Sequence, residues 1–419
     1  MTTLSQHVVA VVGGATAGAE ITRALAEHGA LVVVFEQNTR PYGKIEDGLP
    51  RWHVALRRKE YETIRERLAH PNVLFVPKTK IGRDLSFAEL TRDWSFSAVV
   101  LACGAWRDRP FPVPGADAYV DRGLIYQNPF IVWFNHAEEP DYTGPRYEAE
   151  DGALVVGGGL ASIDVVKALM LEATRAALRA RNIDAPLVEL EVKGIPKFLE
   201  AHSLEYRDLR LRGCTLFYRR RAEDMPLVEL PEDATLERAE KVKAARRRVL
   251  EKAQTKYAFH FEPLCAPEAL LVEGERLVGL RFRRTEVKED QVVPTEETFE
   301  RRGPYVISSI GSIPEPLVGI PMRGELFDFQ DWTFGRLTDY PNVFSAGNVV
   351  TGKGNIVASR KHAERVSGKL LEQIAQMPPV SPERQAAIRR RVAERQHAVD
   401  YPGDLGIWLS QSTASDLGT

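Results

Sequence analysis

The sequence predicts an α/β protein built on parallel sheets, and two observations carry that prediction. Val8–Val12 is an apolar, mostly β-branched run that stops at Gly13-Gly14; a helical pattern follows from Thr16 to His28, and Leu31–Phe35 is a second apolar run ending on Glu36. Strand, glycine turn, helix and strand within about thirty residues read as a βαβ unit, whose strands are buried on both faces and so are apolar throughout. The same order restarts with Ala153–Val156, Gly157-Gly158-Gly159, a helical pattern over Ser162–Ala180 and a strand at Thr215–Tyr218. A domain takes roughly 100–200 residues, so a 419-residue chain has room for both units.

The remaining elements follow in order. Residues 54–69 read as a charged helix, and Val73–Val76 and Ala98–Ala102 as strands. The Pro/Gly-rich stretch from Arg109 to Gly115 reads as a crossover between domains. Within the second unit a basic helix is expected over 235–255, with strands near 270–284 and 304–310. A late strand over 342–346 precedes Gly347, then a helix over 354–373 and a charged tail helix over 382–398. The expected organisation is one domain of residues 1–109 and 327–419, with its tail helix from about 380, and a second domain of residues 110–326 inserted into it.

Composition narrows the function classes. Lys and Arg number 56 against 58 Asp and Glu, so a globally basic nucleic-acid binder is not expected. Cys103, Cys214 and Cys265 are far apart and form no CxxC, which leaves neither a local redox dithiol nor the four thiolates of an iron–sulfur cluster. No apolar run reaches the roughly 18–20 residues of a membrane span. The N-terminal residues lack a basic signal-peptide region, and a cytoplasmic location is expected.

The chemistry lies in the glycine turns. Gly13-Gly14-Ala15-Thr16-Ala17-Gly18 is GxGxxG with Ala15 at the middle glycine. In such a turn the first glycine makes the bend, the middle one admits the pyrophosphate, and the last lets helix pack on strand. The pyrophosphate rests on the helix N-terminus, where free N–H groups and the dipole favour anions. The Ala15 methyl is expected to loosen that fit. Glu36, with Gln37 beside it, ends the second strand, where a carboxylate can accept hydrogen bonds from a ribose diol. The alternative is a glycine turn without a ligand.

The second turn runs Gly157, Gly158, Gly159, Leu160, Ala161, Ser162, and its next strand ends on Arg219-Arg220-Arg221 instead of an acid. A carboxylate would repel a 2′-phosphate, whereas guanidinium groups bind it bidentately, so this site is expected to prefer NADP(H). The alternative is a solvated strand end. An acid at one site and arginines at the other suggest FAD plus NADPH. Ala102 and Gly104, before the crossover, and Gly347 with Asn348, late in the chain, sit in strand–small–glycine segments of the kind that line FAD in two-site flavoproteins.

These residues, taken in order, resemble the adrenodoxin reductase type of ferredoxin–NADP reductase, related to the glutamate synthase small subunit. Arg40-Pro41-Tyr42-Gly43, then Asp47-Gly48-Leu49-Pro50 and His53, resemble one family segment. Phe130 to Asn135 with Pro140-Asp141-Tyr142 resembles another, as do Gly157 to Lys167, Tyr218-Arg219-Arg220, Ala244 to Arg248, Val293-Pro294-Thr295 and Val306 to Gly311. Gly347 to Ile356 takes the place of a loop that lies by the flavin and nicotinamide in the family. The departures are Leu160 for an asparagine, Asn348 for a tryptophan, and Thr351 to Gly354 for a different loop, and residues 182–212 match poorly.

The resemblance implies two Rossmann-like dinucleotide-binding domains, the NADP domain inserted into the FAD domain. It implies hydride transfer from NADPH to FAD, then single-electron transfer to a ferredoxin-type iron–sulfur protein. Tyr42, Gly43, Gly354, Asn355 and Ile356 would belong to the cofactor sites. His53 and Asp164 fall at positions near the flavin, where a catalytic role competes with a structural one. Residues 207–221 carry six arginines and one aspartate, and residues 238–252 seven basic and two acidic residues. Such segments would steer an acidic partner, with Arg246, Arg247 and Arg248 as the docking candidates and a solvated helix face as the alternative. Trp408 reads as covering a flavin face or anchoring the tail. Two other functions stay open: a flavoenzyme reducing a small molecule such as a quinone, and a non-catalytic flavoprotein subunit.

Overall fold

The computed structural model describes residues 4–140, 142–231 and 233–412; Asp141 of the Pro140–Tyr142 motif lies outside them. The chain divides into two compact units. One comprises residues 1–49, 53–107 and 312–419; the other comprises 50–52 and 108–311.

The first unit holds a five-stranded parallel sheet. Its order is Val343–Ser345, Ala98–Leu101, Val8–Val12, Leu31–Phe35, Val73–Val76. Successive side chains on a strand point to opposite faces. Val9, Val11, Val32 and Val34 accordingly pack with the helices Thr16–Glu27 and Ile356–Ile374, whereas Val8, Ala10, Val33 and Phe35 pack on the other side. That second side is covered by Phe87 and Leu90, by Phe327, Phe329 and Leu337, and by Ile388 and Val392 of the tail helix Pro382–Ala398. The charged tail helix is therefore a structural cover, with two apolar side chains anchoring an otherwise polar helix.

The return to the first unit falls at Ser312, earlier than the expected 327. Ile320 and Phe327 are buried in the first unit's core, which draws residues 312–326 into it. Pro50–Trp52 belongs to the second unit: the Arg51 N–H donates to Asn135 Oδ1 at 2.9 Å, and Trp52 packs edge-on against Phe134.

The second unit repeats the plan. Its parallel sheet runs Leu124–Tyr126, Val306–Ser309, Leu154–Gly157, Thr215–Phe217, His260–Glu262. Val155, Leu216 and Ile307 pack with the helix Leu160–Arg179, and Leu154, Phe217 and Val306 pack with a second sheet. That sheet is antiparallel, formed by Cys265–Glu273, Arg276–Lys288 and Gln291–Arg302. The sequence places strands near 270–284. Two hairpin turns give three strands that run beyond that stretch, and Phe282 stacks on Phe217 with ring centroids 4.2 Å apart. The basic helix spans Leu236–Tyr257, capped by the Thr235 hydroxyl, which accepts from the Arg238 N–H.

Candidate functional site: two nucleotide cradles

The first cradle is built at the carboxyl end of Val8–Val12, where nucleotides bind in such sheets. Gly13 has φ +97°, a conformation that L side chains rarely adopt, and a methyl there would sit 2.7 Å from the Ala102 carbonyl oxygen. A methyl on Gly18 would sit 1.8 Å from the Gly13 carbonyl oxygen, so this position packs helix on strand and tolerates nothing larger than glycine. The Ala102-to-Gly104 segment is thus brought against the turn by backbone contact.

Glu36 is 4% exposed and turned into the cradle: the Gly14 N–H donates to Oε2 at 2.9 Å and the Asn38 N–H to Oε1 at 2.9 Å. Burial pushes its carboxyl up to about 7, against the lowering effect of these two N–H donors. Each oxygen keeps acceptor capacity for a ribose hydroxyl. Gln37 follows at the strand end, partly exposed.

Arg40 to Gly43 folds over the same turn. A methyl on Gly14 would meet Pro41 Cβ at 2.9 Å, and one on Gly43 would meet Ala15 Cβ at 3.0 Å. The Ala15 methyl therefore lies against the Cβ-free side of Gly43. Tyr42 is buried and stacked on Tyr61 with centroids 3.9 Å apart, and Arg40 pairs with the buried Glu46 at 2.5 Å.

The late segment closes over the first helix. Gly347 has φ +78°, and a methyl on it would sit 2.6 Å from Ala17 Cβ. Its N–H donates to His362 Nδ1 at 3.0 Å, so that nitrogen carries no proton, in keeping with burial lowering the His362 pKa. Asn348 and Asn355 shape the loop: Asn348 Oδ1 accepts from the Gly354 N–H, and Asn355 Oδ1 caps Ile356–Ile374 through the Ala358 N–H, each at 2.7 Å. His362 was not read from the sequence; a histidine inside an amphipathic helix carries no signal of its own.

The second cradle sits at the end of Leu154–Gly157. A methyl on Gly157 would meet the Ser309 carbonyl oxygen at 2.3 Å, and one on Gly158 would meet the Tyr218 ring at 2.1 Å, whereas Gly159 has open space. Gly159 N-caps a 20-residue helix whose first residues, Leu160 and Ala161, are exposed. Its orphan N–H groups are thus open to an anion. The Ser162 hydroxyl donates to the Gly159 carbonyl at 2.6 Å and so braces the turn from within.

The three strand-end arginines separate in role. Arg219 is exposed, and its guanidinium makes no hydrogen bond or ion pair among the described residues. Arg220 is held by Asp290, through both its carboxylate and its carbonyl, and lies 3.6 Å from Asp224. Arg221 pairs with Asp224 at 2.9 Å.

The catalytic candidates fall in different units. His53 stands at the N-cap of the helix Val54–Leu68 in the first. Asp164 lies in the second, on Leu160–Arg179, 3.9 Å from Lys167 Nζ. Lys167 is buried, 3.1 Å from Glu191 and over the rings of Trp52 and Tyr257, so Asp164 borders a buried charged cluster.

Among the docking candidates, Arg246 is half-buried and donates to the Val228 and Glu223 carbonyls; Arg247 and Arg248 are exposed. Trp408 donates its indole N–H to the Thr39 carbonyl at 2.7 Å and packs on Tyr401, which anchors the tail. Burial pushes the thiols of Cys103 and Cys265 up to about 12, and that of Cys214 further, which disfavours their thiolates.

Two parallel sheets, each with a glycine turn opening onto a helix N-terminus, define the two-domain flavoprotein fold. Residues 7–191 match the family model of pyridine nucleotide-disulphide oxidoreductases. The chain is 27% identical to cindoxin reductase of Citrobacter braakii over 185 residues, covering 43% of this chain and 38% of that one. It is 29% identical to the mitochondrial NADPH:adrenodoxin oxidoreductase of Arabidopsis thaliana over 158 residues, 36% of this chain and 30% of that one. These matches span less than half of the two relatives' own lengths. A longer match, 25% identical over 364 residues, covers 79% of this chain and 74% of the NADPH-ferredoxin reductase FprA of Mycobacterium tuberculosis. The solved structure of that FprA in complex with NADPH has a TM-score of 0.70 and 20% identity, covering 93% of this chain and 90% of that one, which establishes the shared fold. The resemblance to the adrenodoxin reductase type is borne out by these relatives. No helix among the described residues is long and apolar enough to cross a membrane.

Proposed function

We propose that this chain is an FAD-dependent reductase that takes hydride from NADPH and delivers electrons singly to a ferredoxin-type iron–sulfur protein. The observation that carries the reading is the opposed chemistry of the two strand ends: a buried Glu36 beside the first turn and an exposed Arg219 beside the second. The first cradle fits the adenosine and pyrophosphate of FAD. Its turn has no room for a Cβ at Gly13 or Gly18, and Glu36 stands where a ribose diol needs acceptors. The second fits NADP(H): helix N–H groups at Leu160 and Ala161 face the pyrophosphate, and Arg219 takes the 2′-phosphate.

When bound, FAD supplies the exchange between a hydride pair and single electrons. The chain's own residues bind and orient. Gly14, Ala15, Ala17 and Gly18 hold the pyrophosphate, Glu36 and Gln37 the ribose, and Tyr42, Gly43, Ala102 and Gly104 wall the first site. Gly347, held by His362, and the loop to Ile356 close the first site. Gly157, Gly159, Leu160, Ala161 and Ser162 form the second, where the apolar Leu160 leaves pyrophosphate binding to backbone donors. His53 and Asp164 are the catalytic candidates that the resemblance implies. In this reading the one-electron acceptor is a ferredoxin-type protein that docks through Arg247 and Arg248, with Arg246 bracing the loop behind them.

The test is an anaerobic titration followed by visible absorbance, first with NADPH and then with NADH. Flavin bleaching by NADPH at far lower concentration than NADH supports the reading. A flavoprotein that NADPH does not reduce, or that passes no electrons to any ferredoxin, refutes it.

A further inference from the structure

Resting on the reading of the second cradle as an NADP(H) site, we propose that Asp290 competes with the 2′-phosphate for Arg220 and thereby sets how tightly the phosphorylated nucleotide is held. Asp290 is distant from the arginine pair in sequence and reaches it through the antiparallel sheet. Lys288 and Gln291 face each other across the hairpin, leaving Glu289 and Asp290 as a two-residue turn with φ of +47° and +64°. Two positive φ values define the tight turn that suits the sheet twist, and aspartate tolerates that backbone better than most residues.

The turn points Asp290 at the strand end. Its carboxylate and its main-chain carbonyl, the latter at 2.8 Å, both accept from the Arg220 guanidinium. The two partners differ in burial. The Asp290 side chain is 87% exposed and that of Arg220 only 20%. Arg220 is thus fixed in place while its partner stands in water, where a single carboxylate is held weakly and can be exchanged. A phosphate brings more charge and more acceptor oxygens to the same edge, so it displaces the carboxylate. A nucleotide with a free 2′-hydroxyl brings neither and leaves the pair intact. Arg219, which has no such partner, makes the first contact, and Arg220 joins only after Asp290 lets go. The exchange lowers affinity for both NADPH and NADP+ and so eases product release.

The experiment measures dissociation constants by calorimetry for NADP+, 2′-AMP and NAD+ on the flavin-loaded protein. It compares the parent with Asp290→Asn, which keeps the turn and removes the charge, and with Asp290→Gly, which favours the turn backbone. Both variants are expected to bind NADP+ and 2′-AMP roughly two- to fivefold tighter, the size of an exposed ion pair, with NAD+ unchanged and the gain erased by high salt. Unchanged or weaker NADP+ binding, or equal tightening of NAD+, overturns the proposal. Arg219→Ala separates the two levels. If it weakens NADP+ and NAD+ alike, the 2′-phosphate reading fails. If its loss is confined to NADP+ while the Asp290 variants gain nothing, only the competition fails.

Discussion

The Gly13–Gly18 turn and the Gly157–Ser162 turn share a plan, and they differ in how closed they are. Around the first, neighbours press from several sides: the Ala102 carbonyl on Gly13, the Gly13 carbonyl on Gly18, the Pro41 side chain on Gly14, and the Ala17 methyl on Gly347. Its acid is buried and held by two N–H groups. Around the second, Gly159 meets nothing within 4 Å, Leu160 is half exposed, and Arg219 stands in water. A closed cradle suits a resident group that is rarely released, and an open one suits a nucleotide that enters and leaves each turnover. In the function proposed above the same motif would serve opposite residence times, and the difference between the turns lies in what the rest of the chain folds over each.

The sharpest way to break the comparison is to put a methyl in each turn. Gly18→Ala meets a backbone oxygen that cannot move aside and is expected to abolish flavin retention and cost several kcal/mol of stability, about the scale of severe overpacking. Gly159→Ala is expected to fold and keep its flavin, with only nucleotide binding weakened. Absorbance and thermal unfolding of the two variants check this; equal damage would erase the distinction.

Next comes the buried acid. The Glu36 carboxyl is raised to about 7 in the fold, so its protonated form is favoured there. Its contribution to stability is full below its ordinary value of 4.5 and is lost as pH rises through about 7. The flavin-free protein should therefore lose on the order of 3 kcal/mol over that window from this group, and Glu36→Gln should flatten the profile. A midpoint-versus-pH curve that is the same in both proteins would show that Glu36 is not so buried.

At the open cradle, Arg219→Ala is expected to weaken NADPH about ten- to a hundredfold, the worth of charged hydrogen bonds, with NADH little changed. Arg220→Ala should cost less, because Asp290 already occupies that guanidinium. Steady-state KM values for both nucleotides are the readout. The smallest effect is expected at the surface. Arg247→Glu with Arg248→Glu should slow transfer to an acidic ferredoxin a few-fold and flatten its salt dependence. Reduction of a small neutral acceptor should change far less.

Much of this was legible in one dimension. Apolar runs broken by glycine located both sheets, and the sequence set an acid at one following strand end and arginines at the other, because these patterns are local consequences of strand burial and motif spacing. The charge of the basic segments was not legible. Residues 207–221 look strongly cationic, yet Arg207 pairs with Glu205, Arg212 with Asp151, Arg220 with Asp290 and Arg221 with Asp224. All four of those acids lie outside the segment, Asp151 and Asp290 far from it in sequence. Residues 312–326 were placed in the wrong unit for the same reason: their only signal is a set of apolar side chains whose partners are distant in the chain.

By itself the sequence determined the two βαβ units, their order, and the polarity of each strand end, since periodicity and motif spacing act over a few residues. Tertiary structure alone decided which arginine remains free, that the Ala15 methyl rests against Gly43, that His362 holds Gly347, and that Trp408 ties the tail to Thr39. Each of those depends on contacts between residues far apart in the chain, where burial and hydrogen bonding are settled only once the sheets have formed.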